Sequence, residues 1–379
     1  MERAKAIEQA PSRRGLPSLS LSNPPNRILL IKLSSIGDVV HTLPSAFALA
    51  RRWPEARMDW LVDPSAAEIV RLLSFVDRVV ELDSLARRFR GVAGLRHFRS
   101  VIGTLRAVPY DLVVDFQGLL RSSVWTLLSG AAVRVGRGRW PWLHARVPMV
   151  SPSLTPHAIE NTARALVPLG FEPSEICDRF LESEALALRA RVLLAAQESA
   201  REFLEGGPFW VWIPYSSWPS KSLPLEEAES AAIRDSVAHL IVGDESSAFV
   251  RVPARGRWRN LSGRLSLLQS VGLALMADHV IAADTGPAHL AALLGAEITG
   301  CFGPTSAFRT GLRGPRAINV GGTCSGCYRR TCREATRCLG EALKRAVGGA
   351  AARVGPVGNQ PVRADGTESA NSNSATYSR

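Results

Sequence analysis

The sequence predicts an α/β chain built of two Rossmann-like domains that face each other across a cleft. Three observations carry that expectation. Short apolar runs alternate with longer helical stretches, the runs are never joined at hairpin spacing, and the alternation occurs twice, on either side of a long amphipathic segment. At 379 residues, 46% of them hydrophobic, the chain is long enough to fill two such cores.

Residues 1–26 are rich in Pro and Ser and are expected to be disordered. Strands are expected at Arg27–Leu33, Met58–Val62, Arg78–Leu82, Asp111–Asp115 and Ala132–Val135, with helices such as Leu43–Arg52 and Leu119–Leu128 between them. Strands separated by helices make a parallel sheet with right-handed crossovers, so residues 27–183 read as one domain. A helix over Glu184–Leu204, ended by Gly206 and Gly207, makes residues 184–207 a linker. The second domain, residues 208–345, has strand candidates at Phe209–Ile213, His239–Val242, His279–Ala282 and Ile298–Phe302. Residues 346–379 turn Gly/Ala-rich and then Asn/Ser/Thr-rich, and are expected to be disordered. In such an architecture a ligand lies in the crevice at the carboxyl ends of the two sheets.

Lys and Arg number 46 against 34 Asp and Glu, a formal charge of +12 that calls for an acidic partner. Nucleic acid, an anionic membrane face and phosphorylated substrates are the classes to weigh. The cations are scattered rather than interleaved with aromatics, which disfavours nucleic acid. No apolar run is long enough for a membrane span, and residues 1–26 lack the apolar core of a signal peptide, so the expected compartment is the cytoplasm. Four of the six cysteines, Cys324, Cys327, Cys332 and Cys338, crowd one segment. Structural zinc, a thiol pair and plain loop cysteines stay open for them, whereas a disulfide conflicts with the compartment.

The most informative segment is Ala282–Gly295. Asp284, Thr285 and Gly286 stand where a strand hands over to an alanine-rich helix, with His289 one turn on. Unpaired N–H groups and the positive helix end make an anion site there, although Asp or Thr before Gly-Pro is also an ordinary N-cap. In the same half, the strand at Phe209 runs into a loop with Ser216, Ser217 and Lys221. Two hydroxyls and an ammonium suit a diphosphate: they orient it and offset its charge as it leaves. In the first half, Ser34, Ser35, Gly37, Asp38 and His41 follow the opening strand. Asp38 falls in the first helical turn, where it either caps the helix or serves as a base toward an acceptor hydroxyl. A helix N-terminus lowers a carboxyl pKa, so a base there also needs burial or substrate contact. After the strand at Asp111, Gln117 and Arg121 are candidates to meet a polar or anionic substrate.

Five segments, in order, resemble glycosyltransferase family 9, the heptosyltransferases of the lipopolysaccharide inner core. They are Ile31–Pro44, Asp111–Ser122, Ser216–Lys221, Asp284–His289 and Phe302–Thr305, within a span from Arg27 to Lys344. The resemblance implies a GT-B fold and a metal-independent, inverting displacement that needs no cofactor. It implies a nucleotide-sugar donor, ADP-heptose, held in the second domain by Ser216, Ser217, Lys221, Asp284, Thr285, Gly286 and His289. Asp38 matches the family's base, and Lys221 the group that stabilises the leaving diphosphate. Ser34, Ser35, Gly37, His41, Gln117 and Arg121 fall on the side of the phosphorylated lipid or lipopolysaccharide-core acceptor, which would bring the protein to the anionic inner leaflet as a peripheral protein. Where the family carries an aromatic two positions after the lysine, this chain has Leu223, and Gly243–Ser247 matches the ribose-side loop only loosely. Two other readings fit the sequence. One is a nucleotide-sugar isomerase of the same shape, and the other a non-catalytic nucleic-acid-binding protein with a zinc-loaded cysteine cluster.

Overall fold

The computed structural model describes residues 7–10, 18–82, 92–148, 157–204, 207–228, 237–244, 257–324 and 326–353. A short antiparallel pair, β1 (Ile7–Ala10) and β2 (Ser18–Leu21), comes first. Part of the segment expected to be disordered therefore has structure, and Leu19 is buried against the main core.

The first large sheet comprises β3 (Arg27–Ile31), β4 (Arg57–Val62), β5 (Arg78–Glu81), β6 (Leu112–Asp115), β7 (Val133–Arg137) and β8 (Ala145–Val147). Their spatial order is β5-β4-β3-β6-β7-β8, parallel throughout. Its helices are α1 (Ile36–Val40), α2 (Leu43–Arg52), α3 (Pro64–Arg71), α4 (Val92–Arg106), α5 (Leu120–Leu128) and α6 (Ala158–Ala163). Helix α7 (Pro173–Leu204) leads to the second sheet. That sheet has β9 (Phe209–Ile213), β10 (Ala238–Ile241), β11 (Arg257–Asn260), β12 (His279–Ala283), β13 (Ile298–Phe302) and β14 (Ala317–Gly321), in the order β11-β10-β9-β12-β13-β14. It is parallel too, and carries α8 (Leu267–Met276), α9 (Gly286–Leu293), α10 (Ala307–Thr310) and α11 (Ala335–Arg353).

The central strands are buried on both faces, which is why they read as unbroken apolar runs rather than alternating ones. In each sheet the first strand lies beside the fourth, with the second and third on one side and the fifth and sixth on the other. The chain reverses direction across the sheet at β3/β6 and at β9/β12, and the crevice beyond the carboxyl ends of such a strand pair is where ligands bind. The loops after β3, β6, β9 and β12 are the four that carry the expected site residues. At the opposite, amino ends of the first sheet, Asp59 is wholly buried and accepts from Arg27, Arg78 and the Tyr110 hydroxyl, tying three strands together.

Two expected boundaries move. The connecting helix begins at Pro173 rather than Glu184, with proline in the first turn, where its missing N–H costs nothing. At the carboxyl end α11 runs to Arg353, past the expected limit at 345, because Leu339, Leu343, Ala346, Val347 and Ala350 bury one face against the second sheet. Gly206 and Gly243–Ser247 fall partly or wholly outside the described residues.

Helix α7 joins the halves by packing first on α2 and α6, then on α8. Arg189 of α7 donates to the carbonyls of Leu275 (3.1 Å) and Leu294 (2.9 Å), so one cation serves the carboxyl ends of both α8 and α9. Closer to its end α7 lies so near α8 that a Cβ on Gly272 would stand 2.1 Å from the Ala196 Cβ. Gly272→Ala is expected to push the two helices apart and destabilise the protein by about 1–3 kcal/mol, read as a lowered denaturation midpoint. An unchanged midpoint would mean that the α7–α8 contact is not tight.

Candidate functional site

At the end of β12, Asp284 lies buried and Thr285 caps α9, whose first turn holds Gly286 and Pro287. Asp284 Oδ2 accepts from Lys221 Nζ at 2.9 Å and, at 3.4 Å, from the Thr310 hydroxyl; Oδ1 accepts from His289 Nε2 at 2.8 Å. Burial alone would raise the Asp284 pKa, but the hydrogen bond from His289 and the Lys221 ammonium hold it well below the usual carboxylate range. The carboxylate is thus charged at any physiological pH.

Lys221 comes from the loop after β9. Its ammonium also lies 4.7 Å from the Trp218 ring centroid, and the Arg330 guanidinium lies 5.1 Å from the same ring. Ser216 accepts weakly from the Trp218 N–H at 3.5 Å, and Ser217 is exposed. Among the described residues the hydroxyls of Tyr215, Thr285 and Thr305 are buried without a hydrogen-bond partner, and they sit at the ends of β9, β12 and β13 respectively. Buried hydroxyls rarely stay unsatisfied, so these three, each just past a strand's carboxyl end, are candidates to meet a polar ligand.

The loop holding the cysteines braces this crevice from behind. Gly326 and Tyr328 donate their N–H groups to the Gly303 and Pro304 carbonyls (3.1 and 2.7 Å), and Ser220 donates its hydroxyl to the Arg329 carbonyl at 2.6 Å. The Cys324 N–H donates to the Cys338 Sγ at 3.3 Å, while Cys324 and Cys327 are exposed. Among the described residues no three His, Cys, Asp or Glu side chains gather as a metal site would require.

In the first half, β3 ends and α1 begins with Ser35 as N-cap. Asp38 Oδ2 accepts from the N–H and hydroxyl of Ser35, both at 3.0 Å, and Oδ1 faces Lys32 Nζ at 3.7 Å. Asp38 thus closes the helix end, and half its side chain (51%) stays exposed. Burial would raise its pKa, and Lys32, His41 and the Ser35 bonds outweigh that and lower it. Lys32 itself is buried, and desolvation lowers its pKa against the pull of Asp38. A lysine at the end of an otherwise apolar strand was a readable signal of this pairing.

Beneath Lys32 lies Asp115. Its Oδ1 accepts from the N–H groups of Gln117 (2.9 Å) and Gly118 (3.1 Å), and its Oδ2 from the Ser122 hydroxyl (2.9 Å). Gly118 sits at φ +75°, a conformation that the turn demands. Burial nevertheless pushes the Asp115 carboxyl up to about 6.

The acceptor-side expectations divide. Arg121 is exposed and donates to the Ser34 hydroxyl at 2.8 Å, so the two lie together at the cleft rim. Gln117 is buried, and its Oε1 accepts from the Leu33 N–H at 2.8 Å, so that oxygen serves the backbone. His41 is buried as well and meets His289 of the other domain, Nε2 to Nδ1, at 3.3 Å. Gly37 lies against α9: a Cβ built on it would be 3.6 Å from the Gly286 Cα. The helix starts after β3 and β12 thus abut, and the cleft is closed at this point. Sequence reasoning missed Lys32, Asp115, Thr310 and His157; the last two reach the site only through the tertiary fold.

A family model described as glycosyltransferase family 9 (heptosyltransferase) matches residues 98–337. The chain is 31% identical over 341 residues to lipopolysaccharide heptosyltransferase 1 of Pseudomonas aeruginosa, covering 81% of this chain and 87% of that protein. Its likeness to the Salmonella typhimurium protein of the same name is 26% over 319 residues, covering 79% and 94% of the two chains. Among solved structures, a family 9 glycosyl transferase from Veillonella parvula superposes with a TM-score of 0.67 at 17% identity, over 86% of this chain and 97% of that one. The E. coli heptosyltransferase WaaC with ADP superposes at 0.63 and 22% identity, over 86% and 99%.

Two outcomes follow from the geometry. A Cβ on Gly286 would lie 2.5 Å from Ile36 Cγ2 and 2.8 Å from the Gly37 nitrogen. Gly286→Ala should therefore wedge the cleft open and lower turnover about 10- to 100-fold while the denaturation midpoint stays nearly unchanged; turnover equal to wild type would contradict the closed contact. Asp115 has a folded pKa near 6, above its ordinary 3.8, so its charge withdraws stability as pH rises from about 4 to 6, in full above that. The midpoint of Asp115→Asn relative to wild type is accordingly expected to be more favourable near pH 8 than near pH 4. A difference that does not vary with pH would remove the buried-charge argument.

Proposed function

The chain belongs to glycosyltransferase family 9, and from that premise we propose that it transfers heptose from ADP-heptose to the inner core of a lipopolysaccharide precursor. The observation that carries the reading is the pairing of two strand-to-helix turns across one closed cleft. One holds a charged, solvent-reachable carboxylate, Asp38; the other holds an ammonium, Lys221, beside the positive end of α9. The relatives' names and an E. coli neighbour solved with ADP-2-deoxy-2-fluoro heptose support the donor and the acceptor class. The isomerase and nucleic-acid readings find no such support.

The donor's diphosphate lies at the α9 N-terminus, among the hydroxyls of Ser216, Ser217, Thr285 and Thr305. Lys221 turns from Asp284 toward the phosphates, and Asp284, still paired with His289, keeps the ammonium charged and within reach. On the other side Arg121, Ser34 and Ser35 face the acceptor, whose hydroxyl donates to Asp38. The acceptor oxygen attacks the anomeric carbon as the bond from that carbon to the diphosphate oxygen breaks, with inversion. Asp38 takes the hydroxyl proton, and ADP leaves with the electron pair, its charge met by Lys221 and the helix N–H groups. A depressed pKa makes Asp38 a modest base. It suits a reaction in which the hydroxyl sheds its proton late, as the new bond forms. Closure of the domains excludes the water that would hydrolyse the donor. The reaction takes place on the cytoplasmic side of the inner membrane, where the net charge of +12 draws the protein to phosphorylated lipid as a peripheral protein. Among the described residues no helix is long and apolar enough to cross a membrane.

Asp38→Asn is expected to lower transfer by about 10²- to 10⁴-fold while ADP binding, measured by calorimetry, stays within a few-fold of wild type. Near-normal turnover would exclude Asp38 as the base. A thermal-shift comparison of ADP, UDP and GDP identifies the donor nucleotide: stabilisation by ADP alone is expected, and stabilisation by none would remove the donor site itself.

A further inference from the structure

We infer that His41 and His157 are positioning residues that form a closure latch, each donating a ring N–H from the first domain to the second and so fixing the His289–Asp284–Lys221 chain. The inference rests on the reading of that chain as the donor-diphosphate site.

Asp284 is a charged carboxylate and only accepts, so His289 carries its proton on Nε2, 2.8 Å from Oδ1. In the latch the other nitrogen of that ring, Nδ1, accepts from His41 Nε2, which meets it at 3.3 Å. His157 precedes α6, and its Nδ1 accepts from the Ile159 N–H. Its Nε2 therefore carries the proton and donates at 2.8 Å to the carbonyl of Gly311, just past α10. Two histidines of one domain thus give a hydrogen bond each to the other domain, across 248 and 154 residues of sequence.

Both rings are buried, 6% and 4% exposed, and the His41 ring lies edge-on to His289 and to His157 at centroid distances of 4.5 and 5.8 Å. His41 faces Asp38 on its own helix, His157, and His289 and Asp284 from the donor side; His157 faces His289 and Arg313. Burial holds both imidazoles below their ordinary pKa, His157 down to about 4, so each stays neutral with one N–H to give. Hinge opening breaks both bonds together. Closure remakes them and orients His289, hence the Asp284 carboxylate, hence the Lys221 ammonium. The bond from His41 thus tells the donor-phosphate site that the acceptor domain has arrived.

The test uses the full chain and four variants: His41→Ala, His41→Gln, His157→Ala and the double alanine variant. Each alanine variant is expected to lower kcat about 10- to 100-fold with little change in the Kd for ADP. His41→Gln, whose amide N–H can replace the ring donor, should recover a large part of kcat without recovering the denaturation midpoint. In small-angle scattering, ADP should compact the wild type but not the double variant. Normal kcat, a glutamine variant no better than alanine, or equal compaction would each overturn the latch. If Asp38→Asn is inactive in the same assay, the transferase reading stands while the latch falls; if Asp38→Asn is active too, both fall.

Discussion

A carboxylate buried at the end of a parallel strand must be compensated, and the compensation of Asp284 organises the cleft. Lys221 and His289 both bond to it, one from the loop after β9 and the other from the first turns of α9. Removing either partner would leave the charge under-compensated in a region where desolvation is expensive. The arrangement keeps a cation close to the α9 N-terminus without fixing it there. In the proposed function an arriving diphosphate has only to draw Lys221 away from one of two carboxylate oxygens, and the other oxygen keeps its bond to His289. In that proposed function the pair is a holder for positive charge, delivered when the donor binds.

The rest of the structure brings a second turn of the same construction to face this one. Each sheet has its chain reversal between first and fourth strand, so each offers one crevice at its carboxyl end. Helix α7 spans both halves, and Arg189 links it to the ends of α8 and α9. Helices α1 and α9 then meet start to start, with glycine on both sides because no larger residue fits on the α9 side. Two positive helix ends in contact suit a negatively charged substrate between or beside them.

Much of this was legible in the chain, and the gaps have physical causes. The inner strands announce themselves because burial on both faces demands unbroken apolar runs, as in Phe209–Ile213. Strands β11 and β14 went unread because they are only partly buried and need no apolar run, as in Arg257-Trp-Arg-Asn260, and β8 because it is three residues long. The start of α7 was hidden because its two ends bury different faces, on α2 and then on α8, so no single stripe runs through it. Asp38, Lys221, Asp284 and His289 were readable, since they occupy the turns where a strand gives way to a helix. His157 and Thr310 reach the site from segments with no local signature, and Asp115, although inside a readable motif, is placed by burial that the sequence does not show. His41 stood in a readable motif, but its partner lay in the other domain.

The central claim is that the nucleotide's diphosphate takes Lys221 from Asp284 at the start of α9. A crystal structure of the protein with ADP bound tests it most directly. The account predicts phosphate oxygens within about 3 Å of Lys221 Nζ and of the first α9 N–H groups, with Asp284 still bonded to His289. A diphosphate bound elsewhere, with the Lys221–Asp284 pair intact at its present 2.9 Å, would contradict it.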